Sequence, residues 1–499
     1  MIIEPYRDFK FSTINAIPAS EIPKEAVAKS QNIYLREGRW RKLPGLTEMH
    51  ATPTGTKGIW SVFRSHQLTP KTSTLLKSTD NAVYRFNIGT QTWIELYSPI
   101  ATDALIEYLE YPPYVYFGSR DDLWRRYDGG TITYPVGGSN GLASDAIRKY
   151  SKVIYNGFAG RFFGIGDKLN PDALDWSAHT DNEGIEKWPA ANRQFVESVG
   201  GDTPQGIDIF EGRLTIASQN SISSASVVGV PEAWSFQREK SMTGCIAPRT
   251  FKRRGTSFFM LSPDFEIYRW PEDTFVTKGR FKMKVNPYFA SLACAEIVEN
   301  RFYVLVYLNN EGGGDNRYDM VVYDITTDQI WGPHKQYNIV SLFWDRDNNV
   351  LLCGGADDLY GTVMEFRGNN IRGKKSSVHW VGPMWDQGKP YEDKRYKKIW
   401  IKAKQTGSST LEVITNVDNK GDTPQSQHVV LQDPENTSLM DTGNVKDAIT
   451  KKGYLFDQFG RGNSIQVEMK HAELNGELEF SEFHIGFDRK PYTKFNRGT

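Results

Sequence analysis

The chain has 499 residues, with 60 Lys+Arg against 60 Asp+Glu and a formal net charge of zero; its sequence pI is near 7.1. That balance excludes the basic footprint, a pI above about 9, of a domain built to grip nucleic acid, and 39% hydrophobic with 24% charged residues exclude a disordered chain. The 13 Trp, 24 Tyr and 27 Phe suit half-buried pleated surfaces, so the expected class is all-β.

Residues 1–50 read as an N-terminal extended segment and hairpin. Met1 to Asp8 carries an acid and a Pro where a signal peptide needs a basic start and an apolar run. Gln31 to Gly45 predicts two strands around Glu37-Gly38, where Gly supplies the positive φ of a tight hairpin. Short helices are expected only at Pro23–Gln31, Thr102–Leu109, Ala143–Lys152 and Val445–Lys451.

Residues 51–370 carry a loose repeat: an apolar strand, a polar turn, an aromatic-rich strand and an aromatic ending. It runs from Asn81–Phe86 to Trp93, from Asp121–Tyr127 to Tyr134 and from Asp172–Ala178 to Trp188. It recurs from Ser221–Val227 to Trp234, from Phe265–Trp270 to Phe275 and from Tyr318–Asp324 to Trp331, with Leu359–Phe366 as a seventh unit. Spacings of roughly 40 to 54 residues match a four-stranded blade, so the segment predicts a β-propeller of six or seven irregular blades. A stack of β-sandwiches is the alternative.

Arg372 to Ser377 reads as a linker, and residues 371–499 as a C-terminal β-sandwich or jelly-roll-like domain. Its clean alternating strands are Ile399–Lys404, Leu411–Thr415 and Ile465–Lys470, with a turn at Leu474–Leu478. In the last strand Leu478 and Phe480 share one face while Phe483, Ile485 and Phe487 follow the other phase, the one-residue slip of a β-bulge.

The chemical motifs are sparse. Gly137-Gly138-Ser139-Asn140-Gly141 matches a nucleophile elbow but lacks the parallel α/β context that motif needs. Asp345 to Asn349 echoes a calcium loop with Val350 in place of its Gly, and reads as a hairpin turn. Glu311 to Asn316 has no Lys or following helix for a phosphate loop. Thr180 to Gly184 is a poor echo of a sialidase Asp-box turn, and the acid pairs Asp121-Asp122 and Asp357-Asp358 read as turns. The eight His residues show no metal-ligand spacing, and Cys245, Cys294 and Cys353 are too far apart for a zinc knuckle or a disulfide framework. A propeller can still gather distant acids around its axis, which keeps a glycosidase reading open. The basic clusters Lys252-Arg253-Arg254, Lys278–Lys284 and Lys394–Lys398 read as solvated faces. The longest apolar stretch, Phe302–Leu308, falls short of the ~20 residues that span a bilayer.

Two stretches resemble a known family. Asn32-Ile33-Tyr34-Leu35 followed by Gly38-Arg39-Trp40-Arg41-Lys42-Leu43-Pro44-Gly45-Leu46 is similar to the N-terminal hallmark of tail proteins of short-tailed bacteriophages. The nearest family is the packaged-DNA stabilisation protein, also called tail hub or nozzle protein. Glu211–Ile222, Gly244–Pro248, Ser257–Ser262, Ile267-Tyr268, Asp175-Trp176-Ser177 with Trp188, and the closing pattern from Lys398 and from Ile465 extend the likeness over most of the chain. The resemblance implies a propeller-containing structural virion protein, not an enzyme, that forms a homohexameric ring below the portal and adaptor. Such a ring continues and closes the DNA channel, retains packaged DNA and conducts it during ejection.

The implied partners are the chain itself, the portal-adaptor protein, tail fibre, tailspike or needle proteins, and viral double-stranded DNA touched weakly in the lumen. The implied location is the phage tail of the virion, after synthesis in the bacterial cytoplasm. No catalytic residue, cofactor or metal ligand is carried over. As gate segments the sequence offers Glu311–Tyr318, then Asp422–Asn436. The competing functions are a carbohydrate-active propeller enzyme and a fibre-attachment or binding module.

Overall fold

The computed structural model describes residues 2–6, 13–50, 55–66, 74–102, 104–133, 149–179, 185–196, 202–210, 212–307, 318–404, 409–417, 425–431, 450–455, 461–472 and 478–489. From Ser61 onward, short strands separated by tight turns pair with their sequence neighbours into four-stranded antiparallel sheets. The first strands of these sheets are Ser61–Ser65, Glu107–Tyr111, Lys152–Asn156, Pro204–Phe210, Lys252–Arg254, Cys294–Val298 and Ile339–Asp345. They line one axis in succession, the turn at Pro248–Thr250 bridging the fourth to the sixth. The circle closes where Ile59 N–H donates to Gly355 O at 2.9 Å and Ser341 Oγ–H donates to Ile59 O at 2.6 Å. The fold is an all-β propeller of seven blades.

The sequence repeat marks the third strand of each blade: Ala82–Asn87, Arg125–Tyr127, Ala173–Trp176, Ser221–Ser226, Ile267–Trp270, Tyr318–Asp324 and Val363–Glu365. The aromatic ending then sits between sheets. Trp93, Trp188, Trp234 and Trp331 are buried, whereas Phe275 and the neighbouring Trp270 are half-buried. In the seventh blade the chain supplies three strands, and the fourth is Thr47–Glu48, paired antiparallel with Val363–Glu365. The start of the chain therefore fastens the end of the ring.

Two further sheets form the sandwich. One joins Ile33–Arg36, Arg39–Lys42, Glu479–Arg489, Lys394–Lys404 and Thr450–Leu455, with Ile2–Tyr6 along the far half of Glu479–Arg489. The other joins Lys29–Gln31, Val378–Trp385, Ile465–His471, Ser409–Val417 and Gln425–Leu431. The N-terminal segment thus adds strands to both sandwich sheets before reaching the propeller. Its hairpin turns at Glu37 and Gly38, with φ of 53° and 72°, the two positive values a two-residue turn of this hand requires. The expected bulge lies at Ser481, where the register with Lys394–Lys404 steps from Glu482 to Phe480. Leu478, Phe480, Phe483, Ile485 and Phe487 are all buried as a result.

Sandwich and propeller share one hydrophobic core. Trp40, Trp380, Trp385 and Phe483 from the sandwich and Trp331, Tyr337, Met320 and Cys353 from blades 6 and 7 belong to the same buried cluster. Polar ties cross the seam as well: Asn32 N–H donates to His334 Nδ1 at 2.9 Å, and Tyr337 Oη–H donates to Pro44 O at 2.8 Å.

Two of the expected helices are corrected, and the other two lie largely outside the described residues. Pro23–Gln31 is turn followed by the strand Lys29–Gln31, and Thr102–Leu109 runs into the strand Glu107–Tyr111. The describable ends of the other two are the strands Lys152–Asn156 and Thr450–Leu455. These short apolar runs had no helical period to defend, and sheet pairing took their main-chain groups. Among the described residues, helix is confined to short 3-10 turns, and no helix is long and apolar enough to cross a membrane.

Candidate functional site at the propeller axis

First strands meet at the axis, so their side chains line whatever space the ring encloses. Two cavities lie there. The larger, about 340 Å³, opens on the face where first strands begin, among Thr102, Ser119, Arg120, Gln205 and Ser291. The smaller, about 200 Å³, lies among Phe63, Tyr108, Lys152, Lys252, Glu296 and Phe343. Glu107, Pro248 and Arg249 line both, which places them at the waist.

Arg249 stoppers that waist. Pro248 fixes φ at the start of the 3-10 turn, and Thr250 anchors the turn by donating to Ala247 O at 2.8 Å and accepting from Leu261 N–H at 3.0 Å. The guanidinium then donates to Trp60 O and Leu292 O at 2.7 Å each and to Val340 O at 3.3 Å. One side chain, 8% exposed, thereby joins the lead-ins of blades 1 and 6 to the first strand of blade 7.

Below the waist, charges alternate. Lys252 Nζ sits 3.0 Å from Glu296 Oε2. Burial works against its ammonium form, but Glu296, with Cys294 and Glu107 adding, holds its pKa above the ordinary lysine value. Glu107 and Glu296 are thus two carboxylates facing one small space with a lysine between them. Acid–base work on a glycosidic bond needs a sugar ring between two carboxyl groups. A space of about 200 Å³ is smaller than the ~300–1,000 Å³ of ordinary ligand pockets. Within it, Lys252 and Glu296 form an internal salt bridge.

The sequence raised Lys252 only as part of a solvated basic cluster and did not single out Arg249, Glu107 or Glu296, because they come from different blades and no local pattern joins them. Of the motifs it did raise, Asp345–Asn349 is a hairpin turn: the buried Asp345 carboxylate lies 2.6 Å from Arg64 Nε and accepts from Asn348 Nδ2 at 2.8 Å. Asp122 caps the Ser119 turn, and Asp121 pairs with Lys168 at 2.8 Å. Asp358 bonds Asn338 Nδ2 at 2.7 Å and pairs with Lys374. Ser139 and its glycines, Glu311–Asn316 and Thr180–Gly184 lie outside the described residues, as do most of both gate segments; Gln425–Leu431 within the second is a sandwich strand. The three Cys are buried, and burial pushes the Cys245 thiol up to about 11. Among the described residues no cluster of His, Cys, Asp or Glu is built to hold a metal ion.

Part of each basic cluster is engaged within the chain. Besides Lys252–Glu296, Arg253 lies 3.4 Å from Asp208 and Arg254 donates to Asn300 Oδ1 at 3.0 Å. Arg280 pairs with Asp328 at 2.8 Å, and Lys397 pairs with Asp488. Lys394 is buried and donates to the carbonyls of Lys389, Glu392 and Asn463 at 2.6, 3.0 and 2.8 Å.

No family model matches the chain, and no curated protein does. Among solved structures it is similar to YCF48 bound to D1 peptide, at 10% identity and a TM-score of 0.37, over 65% of this chain and 97% of that one. It is also similar to the extracellular domain of BT4673 from B. thetaiotaomicron, at 10% identity and a TM-score of 0.40, over 80% of this chain and 58% of that one.

Proposed function

We propose that the chain is a structural subunit of a short phage tail, forming a nozzle ring below the portal and adaptor that holds packaged DNA and conducts it at ejection. The observation that carries this reading is the fate of the basic clusters. A conduit must let duplex slide, and neutralising even ~6–10 phosphates would make attachment tight and salt-dependent. Here Arg253, Arg280, Lys394 and Lys397 are engaged by acids or carbonyls of the same chain. The sequence resemblance supports the reading independently.

The axis adds a constraint. Duplex DNA, whose major groove alone is about 12 Å wide, does not fit through a waist stoppered by Arg249. A lumen for DNA is therefore formed between copies, each presenting a solid propeller. A shared core between sandwich and propeller suits such a subunit, since a ring needs rigid units to close.

Electron microscopy and mass measurement of the purified protein test the proposal. A ring near six times 56.7 kDa is the expected result. A monomer that cleaves polysaccharide, with loss of cleavage in Glu107→Gln or Glu296→Gln, would replace it with the enzyme reading.

A further inference from the structure

On one sandwich sheet, three side chains from adjacent strands meet end to end. The register puts Lys29 opposite Val381, Val381 opposite Glu468, and His379 opposite Gln31 and Lys470. Val378 and Trp380 are buried while His379 and Val381 are half-buried, so this row lies on the face turned away from the sandwich core. Lys29 Nζ is 2.6 Å from His379 Nδ1, and His379 Nε2 is 2.6 Å from Glu468 Oε1. Lys470 Nζ also reaches Glu468 Oε1, at 2.9 Å. With Nδ1 accepting from Lys29, the ring proton sits on Nε2, which is in close ion-pair contact with the carboxylate.

An amine within hydrogen-bond reach of an imidazole, itself oriented by a carboxylate, is the arrangement that activates a weak nucleophile. The surroundings act in the same direction. Burial, followed by Lys335, lowers the Lys29 pKa from the ordinary lysine value; Glu468 opposes and Lys470 adds to the lowering. The hydrogen bond from His379 holds Glu468 down to about 2, so the orienting group stays ionised.

We propose that Lys29 is a reactive amine that condenses with an aldehyde or ketone carrying an anionic group. The Nζ lone pair forms a bond to the carbonyl carbon while the C=O π pair moves to oxygen. His379 Nδ1 takes one proton from nitrogen and passes it to the oxygen, which becomes the hydroxyl of a carbinolamine. The nitrogen lone pair then forms the C=N bond as that hydroxyl leaves, and the ring, steadied by Glu468, carries the second N–H proton to the departing hydroxide, giving water. Amine and carbonyl become imine and water, with no change of oxidation state. Lys335 and Lys470 supply the positive field that favours an anion-bearing carbonyl compound. The proposal is independent of the nozzle reading.

The probe is pyridoxal 5′-phosphate, equimolar with the full-length chain at pH 7, trapped with borohydride and mapped by peptide mass. Lys29 is expected to carry most of the adduct, and pyridoxal without its phosphate to label it several-fold less. His379→Gln and Glu468→Gln are each expected to cut Lys29 labelling by at least about tenfold. Labelling of exposed lysines such as Lys374 and Lys389 stays unchanged, which reports that the variants are folded. Should His379→Gln disturb the sheet, Glu468→Gln carries the test. Lys29 labelling no faster than Lys374, or variants that label at the parent rate, would reduce the row to an ordinary cross-strand charge ladder. Equal labelling by pyridoxal would overturn the anion preference.

Discussion

Arg249 reaches three carbonyls because a guanidinium is a planar fork of donors, whereas an ammonium is a compact point charge. Each hydrogen bond from a charged group contributes about 1.5–3 kcal/mol. Arg249→Met is expected to cost at least about 3 kcal/mol in unfolding free energy by urea titration. Arg249→Lys is expected to recover less than half of that loss. A Lys variant as stable as the parent would show that the fork is not what joins the blades. His334 offers a second, pH-dependent test. Its ring is fully buried, and desolvation lowers its pKa from 6.5 to about 3. Above pH 6.5 the ring is neutral in both folded and unfolded chains, so it adds no pH dependence. Between pH 6.5 and 3 the unfolded chain takes up a proton that the folded chain refuses, so stability falls as pH falls, by up to about 1.4 kcal/mol per unit. His334→Asn keeps an acceptor for Asn32 N–H and cannot titrate. The parent is expected to lose roughly 2–3 kcal/mol more than this variant between pH 7 and 4.5, measured by unfolding at each pH. Parallel pH profiles would mean that the ring is protonated in the fold.

At the scale of elements, the closing strand Thr47–Glu48 is too short to hold the ring alone. Gly45 explains how it is held. Its N–H donates to Gly368 O at 2.8 Å, and Leu46 N–H donates to Asn370 O at 2.9 Å. A Cβ at position 45 would overlap main-chain atoms of Asn370, which cannot rotate away as a side-chain tip would. Gly45→Ala is expected to lower stability by about 3 kcal/mol or more, read as the urea midpoint. An unchanged midpoint would mean that the strand is not what fastens blade 7. This element also shows where the sequence was legible and where it was not. Several third strands were readable because they bury an aromatic partner locally, as Tyr318–Asp324 does with Trp331 on the next strand. The hairpin at Glu37-Gly38 and the bulge at Ser481 were readable because positive φ and alternation phase are local signals. The destination of Thr47–Glu48, more than 300 residues from its partner, was not, since no residue in it records which edge it will meet. Arg249 and Glu107 stayed invisible for the same reason: the axis is assembled from residues that neighbour one another only after the circle closes.

For the whole molecule, the nozzle proposal turns on how the protein treats duplex DNA. Affinity for phosphate depends on cations free to displace counterions, and log K falls with log salt at about −0.9 per neutralised phosphate. A formal net charge of zero provides no general attraction. In each of the clusters that would supply local attraction one cation is paired, at Arg253–Asp208, Arg280–Asp328 and Lys397–Asp488. The purified protein is therefore expected to bind duplex no more tightly than about 10⁻⁴–10⁻⁶ M at physiological salt. Its salt slope should be shallower than about −3, corresponding to a few phosphates per copy. Freeing the cations should reverse this. In a combined Asp208→Asn, Asp328→Asn, Asp488→Asn variant the slope is expected to steepen by about two to three units, measured by fluorescence anisotropy from 50 to 200 mM salt. Such a variant would retain duplex where the parent releases it; under the nozzle proposal, a phage carrying it should eject its genome more slowly. A parent that already binds with a slope near −8 would place unpaired cations elsewhere on the surface and would contradict a conduit that works by touching DNA weakly.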